Sequence, residues 1–424
     1  MGTKTLDVVL SDAPVERQLA EARPALRRIL GRVLDGHAVT RDEALALAHA
    51  EDGADLRALA ATADALRRQA VGDRITYVVN RNINFTNVCI VGCSFCGFSR
   101  SAAAPDAWNL SLEQIVTKAR QAWDRGATEV CIQGGLPPGM DGHHYRNILA
   151  AIKRELPEMH IHAFSPMEVD YGVRLTNMPL REYLLMLKDA GLDSIPGTAA
   201  EILDDEVRQI LSPRKLSVGR WAEIVRAAHA VGIPTTSTIM YGHMEELHHW
   251  VDHMLLLRDI QRETRGITEF VPLGFIHDKT RLYKSGKARA GHKTTEDIKM
   301  HALARVVFHG TIPNIQVSWV KLGFEVSQMC LRAGANDFSG TLMEESISRL
   351  AGATHGEFVE PHEFRALIRQ IGRVPAERNT TYSKFTVFER PTPDESLPPP
   401  QEVCLDRKLT FAPAPSTPYT GSGY

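Results

Sequence analysis

Three cysteines lie close together in the sequence, at Cys89, Cys93 and Cys96, in the spacing Cys-x3-Cys-x2-Cys. Thiolates are soft ligands that suit iron–sulfur clusters, zinc or copper(I). A structural zinc site or an electron-transfer cluster usually completes its shell with a fourth Cys or His. The next cysteine, Cys131, lies in an apolar, strand-like run. The spacing therefore predicts a metal centre with three protein ligands and one open coordination position, at which chemistry can occur.

Two other interpretations stay open on these residues alone. One of the 17 histidines, distant in sequence, could complete a zinc site. Alternatively, the metal could belong to a non-catalytic scaffold.

Strand-like and helical segments alternate along most of the chain, and the cysteine loop follows the first strand. Eight such strands alternating with helices predict parallel βαβ units. Their regular repeat favours a closed (β/α)8 barrel over an open, doubly wound sheet, and in such a barrel the active site lies at the carboxyl ends of the strands. The predicted strands are residues 75–84, 127–133, 160–164, 192–195, 235–241, 268–276, 314–320 and 336–340.

Three regions are predicted from these patterns. Residues 1–73 form a helical extension, with helices at 15–34, 41–49 and 55–69. Residues 74–389 form the α/β barrel, with one further strand at 380–388. Residues 390–424 are rich in Pro, Ser and Thr, which predicts a disordered tail in which Cys404 is incidental.

Composition argues against several functional classes. The formal net charge of -2 lacks the basic character of a nucleic-acid-binding surface. No uncharged stretch reaches the roughly 18–20 apolar residues of a membrane span, and the first residues lack the apolar core of a signal peptide. Six cysteines in 424 residues do not make a disulfide framework. The sequence therefore predicts a cytoplasmic protein that acts without nucleic acid or membrane.

The cysteine spacing and its flanking residues resemble those of radical S-adenosyl-L-methionine (SAM) enzymes. This resemblance implies a [4Fe-4S] cluster held by the three thiolates, with SAM chelated to the open iron. It also implies that Phe95 lies near the adenine and that Gly134 and Gly135, at the end of the second strand, meet the methionine amino group. Glycines there allow close approach of the backbone.

Other polar residues follow predicted strands and are candidate site residues. Glu201 is a candidate for binding the ribose hydroxyls or the amino group of SAM, although it could equally be a helix N-terminal carboxylate together with Asp204 and Asp205. His243 is a candidate acid/base or substrate anchor. Its candidate companions, any of which could instead be structural, are Tyr241, Glu269, Trp319, Asn336 and Asp337.

Several longer segments resemble one family within that superfamily, the tyrosine-dependent hydroxyphenyl transferases of deazaflavin (Fo) biosynthesis. The similar segments are residues 77–89, 162–168, 195–203, 240–243, 318–323, 334–337 and 340–345. The resemblance implies that a 5'-deoxyadenosyl radical abstracts hydrogen from L-tyrosine and that the released 4-hydroxybenzyl fragment adds to 5-amino-6-(D-ribitylamino)uracil.

The same resemblance implies two protein partners. One is a reductant of the flavodoxin or ferredoxin type, and the other is a separate radical SAM subunit that closes the deazaflavin ring, since this chain has one cysteine loop. Dehypoxanthine futalosine cyclase of menaquinone synthesis has a similar loop and is the alternative. It often has Asp-Arg-Asn-Ile-Asn-Tyr-Thr-Asn where this chain has residues 80–87, Asn-Arg-Asn-Ile-Asn-Phe-Thr-Asn.

Overall fold

The computed structural model describes residues 10–51 and 53–396. Its strands are β1 (Arg74–Val78), β2 (Asn80–Ile83), β3 (Glu129–Ile132), β4 (His160–Ala163), β5 (Thr235–Tyr241), β6 (Ile267–Gly274), β7 (Asp337–Gly340), β8 (Val374–Arg378) and β9 (Phe385–Val387). The helices before β5 are α1 (Val15–Glu21), α2 (Pro24–Leu34), α3 (Arg41–Ala48), α4 (Gly53–Val71), α5 (Leu112–Asp124), α6 (His144–Glu155), α7 (Pro166–Thr176), α8 (Leu180–Asp189), α9 (Asp205–Leu211) and α10 (Val218–Ala230). The later helices are α11 (Leu247–Thr264), α12 (Arg281–Lys284), α13 (Thr294–Val307), α14 (Trp319–Leu331), α15 (Ser346–Ala351) and α16 (Pro361–Gln370).

Parallel pairing closes the strands into a barrel, as predicted. β2, β3 and β4 pair side by side, β5 pairs with β6, and β7 pairs with β1. Single parallel bridges join these groups, at His162–Ser194, Ile195–Thr235, Phe270–Ile315 and Gln316–Asp337. The ring is therefore continuous, although the fourth and seventh predicted strands are reduced to these short bridges.

The carboxyl-terminal part of the barrel differs from the prediction. The structure has a strand at β8, where none was predicted, and shortens the predicted strand at 380–388 to β9. β8 pairs in parallel with β1 from Arg74 onwards, and β9 pairs antiparallel with β8. Because β8 lies beside the start of β1, its last residue, Arg378, reaches the amino-terminal ends of the barrel strands. We call this end the floor of the barrel.

The amino-terminal helices pack on the outside of the barrel, against α11 and α13. The guanidinium of Arg41 donates to Asp252 on α11 at 2.6 and 2.8 Å. The predicted helix at 15–34 is two helices, because Pro24 occupies the first position of α2, where its missing N–H costs nothing. The predicted tail beyond Ser396, with Cys404, lies outside the described residues.

Local sequence explains a helix that was not predicted. Ser165 and Glu168 form a reciprocal capping box at the start of α7, since each side chain accepts a hydrogen bond from the other residue's backbone N–H. The motif at 165–168 is thus a helix start that follows β4. None of the described helices has the length and hydrophobicity needed to span a bilayer.

Candidate cluster and substrate site

Backbone hydrogen bonds fix the cysteine loop at the rim of the barrel. Cys89 donates its N–H to the carbonyl of Arg100 at 3.0 Å, and Ser94 donates to Leu211 at 2.8 Å. Ser94 in turn accepts from the N–H of Leu282 at 2.8 Å. The loop is therefore held against α9 and α12 without using any cysteine side chain.

The three thiols line one cavity of about 380 Å³ that extends from this loop into the barrel. None of them forms a disulfide. In the described part of the chain, no three His, Cys, Asp or Glu side chains are close enough together to hold a single metal ion. The three thiols thus face one cavity without forming a preassembled mononuclear site in the described structure.

The chemistry of the donors fits an iron–sulfur cluster. Burial raises the pKa of the Cys93 thiol to about 12, although the nearby Lys215 lowers it. Coordinated iron supplies the positive charge that deprotonates a thiol. The cysteine loop therefore supplies three thiol ligands, and bound iron would supply the positive charge that deprotonates them.

Gly134 and Gly135 line the same cavity, and their lack of a side chain is required by the loop itself. A Cβ on Gly135 would lie 2.2 Å from the carbonyl oxygen of Val88, and one on Gly134 would lie 2.5 Å from the ring of Phe85. The N–H of Gly134 donates to Glu168 at 3.0 Å. These contacts place the end of β3 directly beneath Cys89, and the role in binding methionine stays a prediction.

Glu201 lies in the cavity wall and is not a helix cap. Asp204 caps α9 by accepting from the N–H of Val207 at 2.9 Å. Glu201 instead accepts from Lys215 at 2.6 Å, and the ammonium of Lys215 lies 5.2 Å from the ring centre of Phe95. Although burial opposes it, the carboxylate of Glu201 raises the pKa of Lys215. Glu201, Lys215 and Phe95 thus form one group beside Cys93.

The structure does not bring Tyr241, His243 or Asn336 to the cavity. Tyr241 is buried under the helices and donates to Asp297 at 2.6 Å. His243 has Nε2 3.0 Å from the carbonyl of Met240 and Nδ1 3.2 Å from Glu245. Their positions therefore differ from the expectation, because a side chain at a strand end can point towards the helices as well as into the barrel.

Asn336 and Asp337 lie at the opposite end of the barrel from the one predicted. They stand at the start of β7, not its end. Asn336 accepts from Arg305 at 2.7 Å and from the N–H of Ile315 at 2.8 Å. Asp337 accepts two hydrogen bonds from Arg378, at 2.5 and 3.1 Å. Both are thus held by structural partners at the floor.

Glu269, on β6, was among the candidate companions of His243, and the structure brings it to the cavity. Sequence reasoning missed other charged residues that line the cavity, which are Glu168, Lys215, Lys321, Glu345 and Arg378. Burial raises the pKa of Glu168 to about 7. Among these residues, only Glu168 had a recognisable sequence signal, the capping pattern at 165–168. The others come from helices, loops and β8, which no strand-end pattern marks.

Comparison with known proteins agrees with this geometry. Residues 83–257 match the sequence profile of the radical SAM superfamily, and residues 264–390 match that of the CofH/MqnC C-terminal region. Methylornithine synthase has a similar structure, with a TM-score of 0.62 at 18% identity over 81% of this chain and 95% of the other. The FeFe-hydrogenase maturase HydG from Carboxydothermus hydrogenoformans has a TM-score of 0.67 at 16% identity over 87% and 83%. At these identities the two structures support the fold alone. The superfamily match assigns a [4Fe-4S] cluster and SAM to the chain.

Two sequence relatives are much closer. The chain is 51% identical over 359 residues to the 5-amino-6-(D-ribitylamino)uracil–L-tyrosine 4-hydroxyphenyl transferase of Methanothermobacter thermautotrophicus, covering 85% of this chain and 97% of that protein. It is 50% identical over 374 residues to the FO synthase of Mycobacterium leprae, covering 88% of this chain but 43% of the synthase. The chain therefore belongs to the radical SAM superfamily and, within it, to the family of 5-amino-6-(D-ribitylamino)uracil–L-tyrosine 4-hydroxyphenyl transferases.

Proposed function

We propose that this protein transfers the 4-hydroxybenzyl group of L-tyrosine to 5-amino-6-(D-ribitylamino)uracil, in the synthesis of the deazaflavin Fo. The observation that carries the proposal is the three-cysteine loop opening into the cavity of the barrel, in a chain that is 51% identical to a transferase of this name over 97% of that protein's length. When bound, the cluster and SAM supply a carbon radical that removes a hydrogen atom from the substrate.

The protein's first task is to keep water and stray hydrogen donors away from that reaction. The ring of strands encloses the sides of the cavity. Thr380, in the turn after β8, lines part of the floor. Arg378 is 3% exposed, which indicates that the floor is closed to bulk solvent. A closed cavity strengthens every polar contact inside it and limits side reactions.

Its second task is to orient a hydrogen-bond-rich substrate. Amide side chains line the cavity at Asn82, Asn84, Gln133 and Gln316, and each can both donate and accept. Thr198 donates to Gln133 at 3.1 Å, which fixes one of these amides. Such a lining suits the hydroxyl groups of a ribityl chain and the alternating donors and acceptors of a pyrimidine.

We further propose that a separate radical SAM protein closes the deazaflavin ring, because the relative that this chain covers to 97% is named for the coupling step alone. A flavodoxin or ferredoxin type of protein is the proposed reductant. An oxygen-sensitive cluster and unpaired cysteines favour the cytoplasm as the compartment.

The proposal is tested by anaerobic incubation of the reconstituted protein with SAM, a reductant, the diaminouracil and ring-labelled L-tyrosine. Mass spectrometry should detect a coupled product that carries the labelled ring. Omission of the diaminouracil, with the same protein, should remove that product. Turnover of dehypoxanthine futalosine, with none of tyrosine, would instead support the cyclase alternative.

A further inference from the structure

Two opposite charges stand side by side in the cavity without pairing. Lys321, in the first turn of α14, donates to the hydroxyl of Ser348 at 3.1 Å. Ser348 donates its N–H to the carboxylate of Glu345 at 2.8 Å. All three residues line the cavity, and we call them the charged wall. Although both charges contact Ser348, no ion pair is present between Lys321 and Glu345 in the described structure.

The other cations of the cavity are already neutralised. Lys215 pairs with Glu201 at 2.6 Å, and Arg378 pairs with Asp337. Among the described residues that line the cavity, Lys321 is the cation with no carboxylate at salt-bridge distance. Burial lowers its pKa, and Glu345 only partly offsets this. Because enclosed charges are normally paired, an unpaired ammonium facing a cavity indicates an anionic ligand group.

The charges of the substrates identify that group, and this step rests on the proposed function. L-Tyrosine is a zwitterion with a carboxylate and an ammonium group on one carbon. The diaminouracil carries no anionic group at neutral pH, and the carboxylate of SAM binds the open iron in enzymes of this kind. The tyrosine carboxylate is therefore the substrate anion that needs a cation from the protein.

We propose that the charged wall binds the amino-acid head group of tyrosine, with Lys321 holding the α-carboxylate and Glu345 holding the α-ammonium. Ser348 contacts both charged groups, so the two lie on the same part of the cavity wall. Each contact with the head group is a charge-assisted hydrogen bond, the stronger kind.

The location of the wall suits this role. Glu345 precedes α15, and the backbone of α15 packs on the cysteine loop so closely that a Cβ on Gly97 would lie 2.6 Å from the Cα of Ala351. Asn84, at the end of β2, accepts from the hydroxyl of Ser346 at 2.9 Å. The head group would thus be anchored between the cysteine loop and the first barrel strand.

The test is calorimetric titration of the unreduced holoenzyme, with SAM bound, against three ligands. These are L-tyrosine, tyramine, which lacks the carboxylate, and 3-(4-hydroxyphenyl)propanoate, which lacks the ammonium. Lys321→Met should weaken tyrosine binding by about 10- to 100-fold and leave tyramine binding unchanged. Glu345→Gln keeps a side-chain oxygen that can accept from the N–H of Ser348. It should therefore weaken tyrosine binding by a similar factor and leave the affinity for the propanoate unchanged.

Two further variants separate charge recognition from general damage. Lys321→Arg keeps the cation and should retain most of the preference for tyrosine over tyramine. Lys299→Met removes another buried lysine, on α13 and away from the cavity, and should bind tyrosine as the wild type does. Iron content should be unchanged in all four variants.

The outcomes distinguish this inference from the function on which it rests. A wild-type protein that neither binds tyrosine nor forms the coupled product overturns both. If the wild type does both, while Lys321→Met and Glu345→Gln bind tyrosine with unchanged affinity, the charged wall is not the head-group site and the proposed function stands.

Discussion

The two ends of the barrel differ in whether their polar side chains have partners within the protein. At the rim, backbone hydrogen bonds hold the loop in place, yet the thiols of Cys89, Cys93 and Cys96 have no hydrogen-bond partner among the described residues. At the floor, each charge has a protein partner, since Arg378 bonds to both Asp337 and Glu269. Tyr382 also donates to Glu269. A region that awaits a ligand leaves its donors unused, whereas a region that closes the fold satisfies its own.

If that contrast is right, the rim should be essential for activity and dispensable for folding. Cys93→Ala should abolish cluster binding and product formation, because a three-ligand site has no spare thiolate. Unfolding in urea should be little changed when cluster-free proteins are compared. Iron and sulfide assays with single-turnover product analysis provide the measurements.

Cys330→Ala is the matched control, since this cysteine is buried away from the cavity. It should keep the full iron content and the activity. Product formation by Cys93→Ala would falsify the cluster assignment.

The floor should show the reverse pattern, with a large effect on stability. Arg378→Met leaves Asp337 and Glu269 buried without their cation, which should cost about 3–5 kcal/mol of unfolding free energy. Urea denaturation of the cluster-free protein measures this. Arg41→Met breaks an exposed pair with Asp252 and should change stability little, because solvent screens that pair. Equal effects of the two substitutions would contradict the contrast.

The floor should also give stability a pH dependence. Burial raises the pKa of Glu269 to about 7, against 4.5 for an unperturbed glutamate, despite the nearby Arg378. Between these values the folded protein keeps a proton that the unfolded chain has released, so the contribution of Glu269 to the unfolding free energy falls as pH rises. Glu269→Gln should reduce this pH-dependent decrease in unfolding free energy, as measured by denaturation curves at several pH values between 4.5 and about 7. Glu16→Gln, on an exposed position of α1, should leave it unchanged.

The smallest effect is expected at a residue that belongs to neither end. Tyr241 points at Asp297 beneath the helices, so Tyr241→Phe should cost about 1 kcal/mol of stability and leave kcat near the wild-type value. Steady-state assays and thermal melts of the same preparations measure the two quantities. A kcat lowered by orders of magnitude, with iron content intact, would return Tyr241 to the list of catalytic candidates.

The sequence alone was enough to predict the barrel and to place the three cysteines on one loop. Cysteine spacing is a local property, because ligands separated by three and two residues on one loop must lie near one another. Strand and helix periodicity is local too, and it predicted β5 at its observed bounds and a closed ring. It failed where strands are reduced to bridges, at Ser194–Ile195 and Ile315–Gln316, since a few paired residues carry no periodic signal.

Only the tertiary structure decided which polar residues face the cavity. Glu201 and His243 both follow strand ends, but Glu201 joins Lys215 beside the cluster loop while His243 turns towards Glu245. A register or rotation of one residue reverses the side on which a side chain lies, and the sequence does not specify it. Lys321, Glu345 and Arg378 reach the cavity from segments that are distant from the cysteines in sequence. Their proximity exists only once the barrel has closed, because it depends on which elements pack against each other rather than on the order of residues in any one of them.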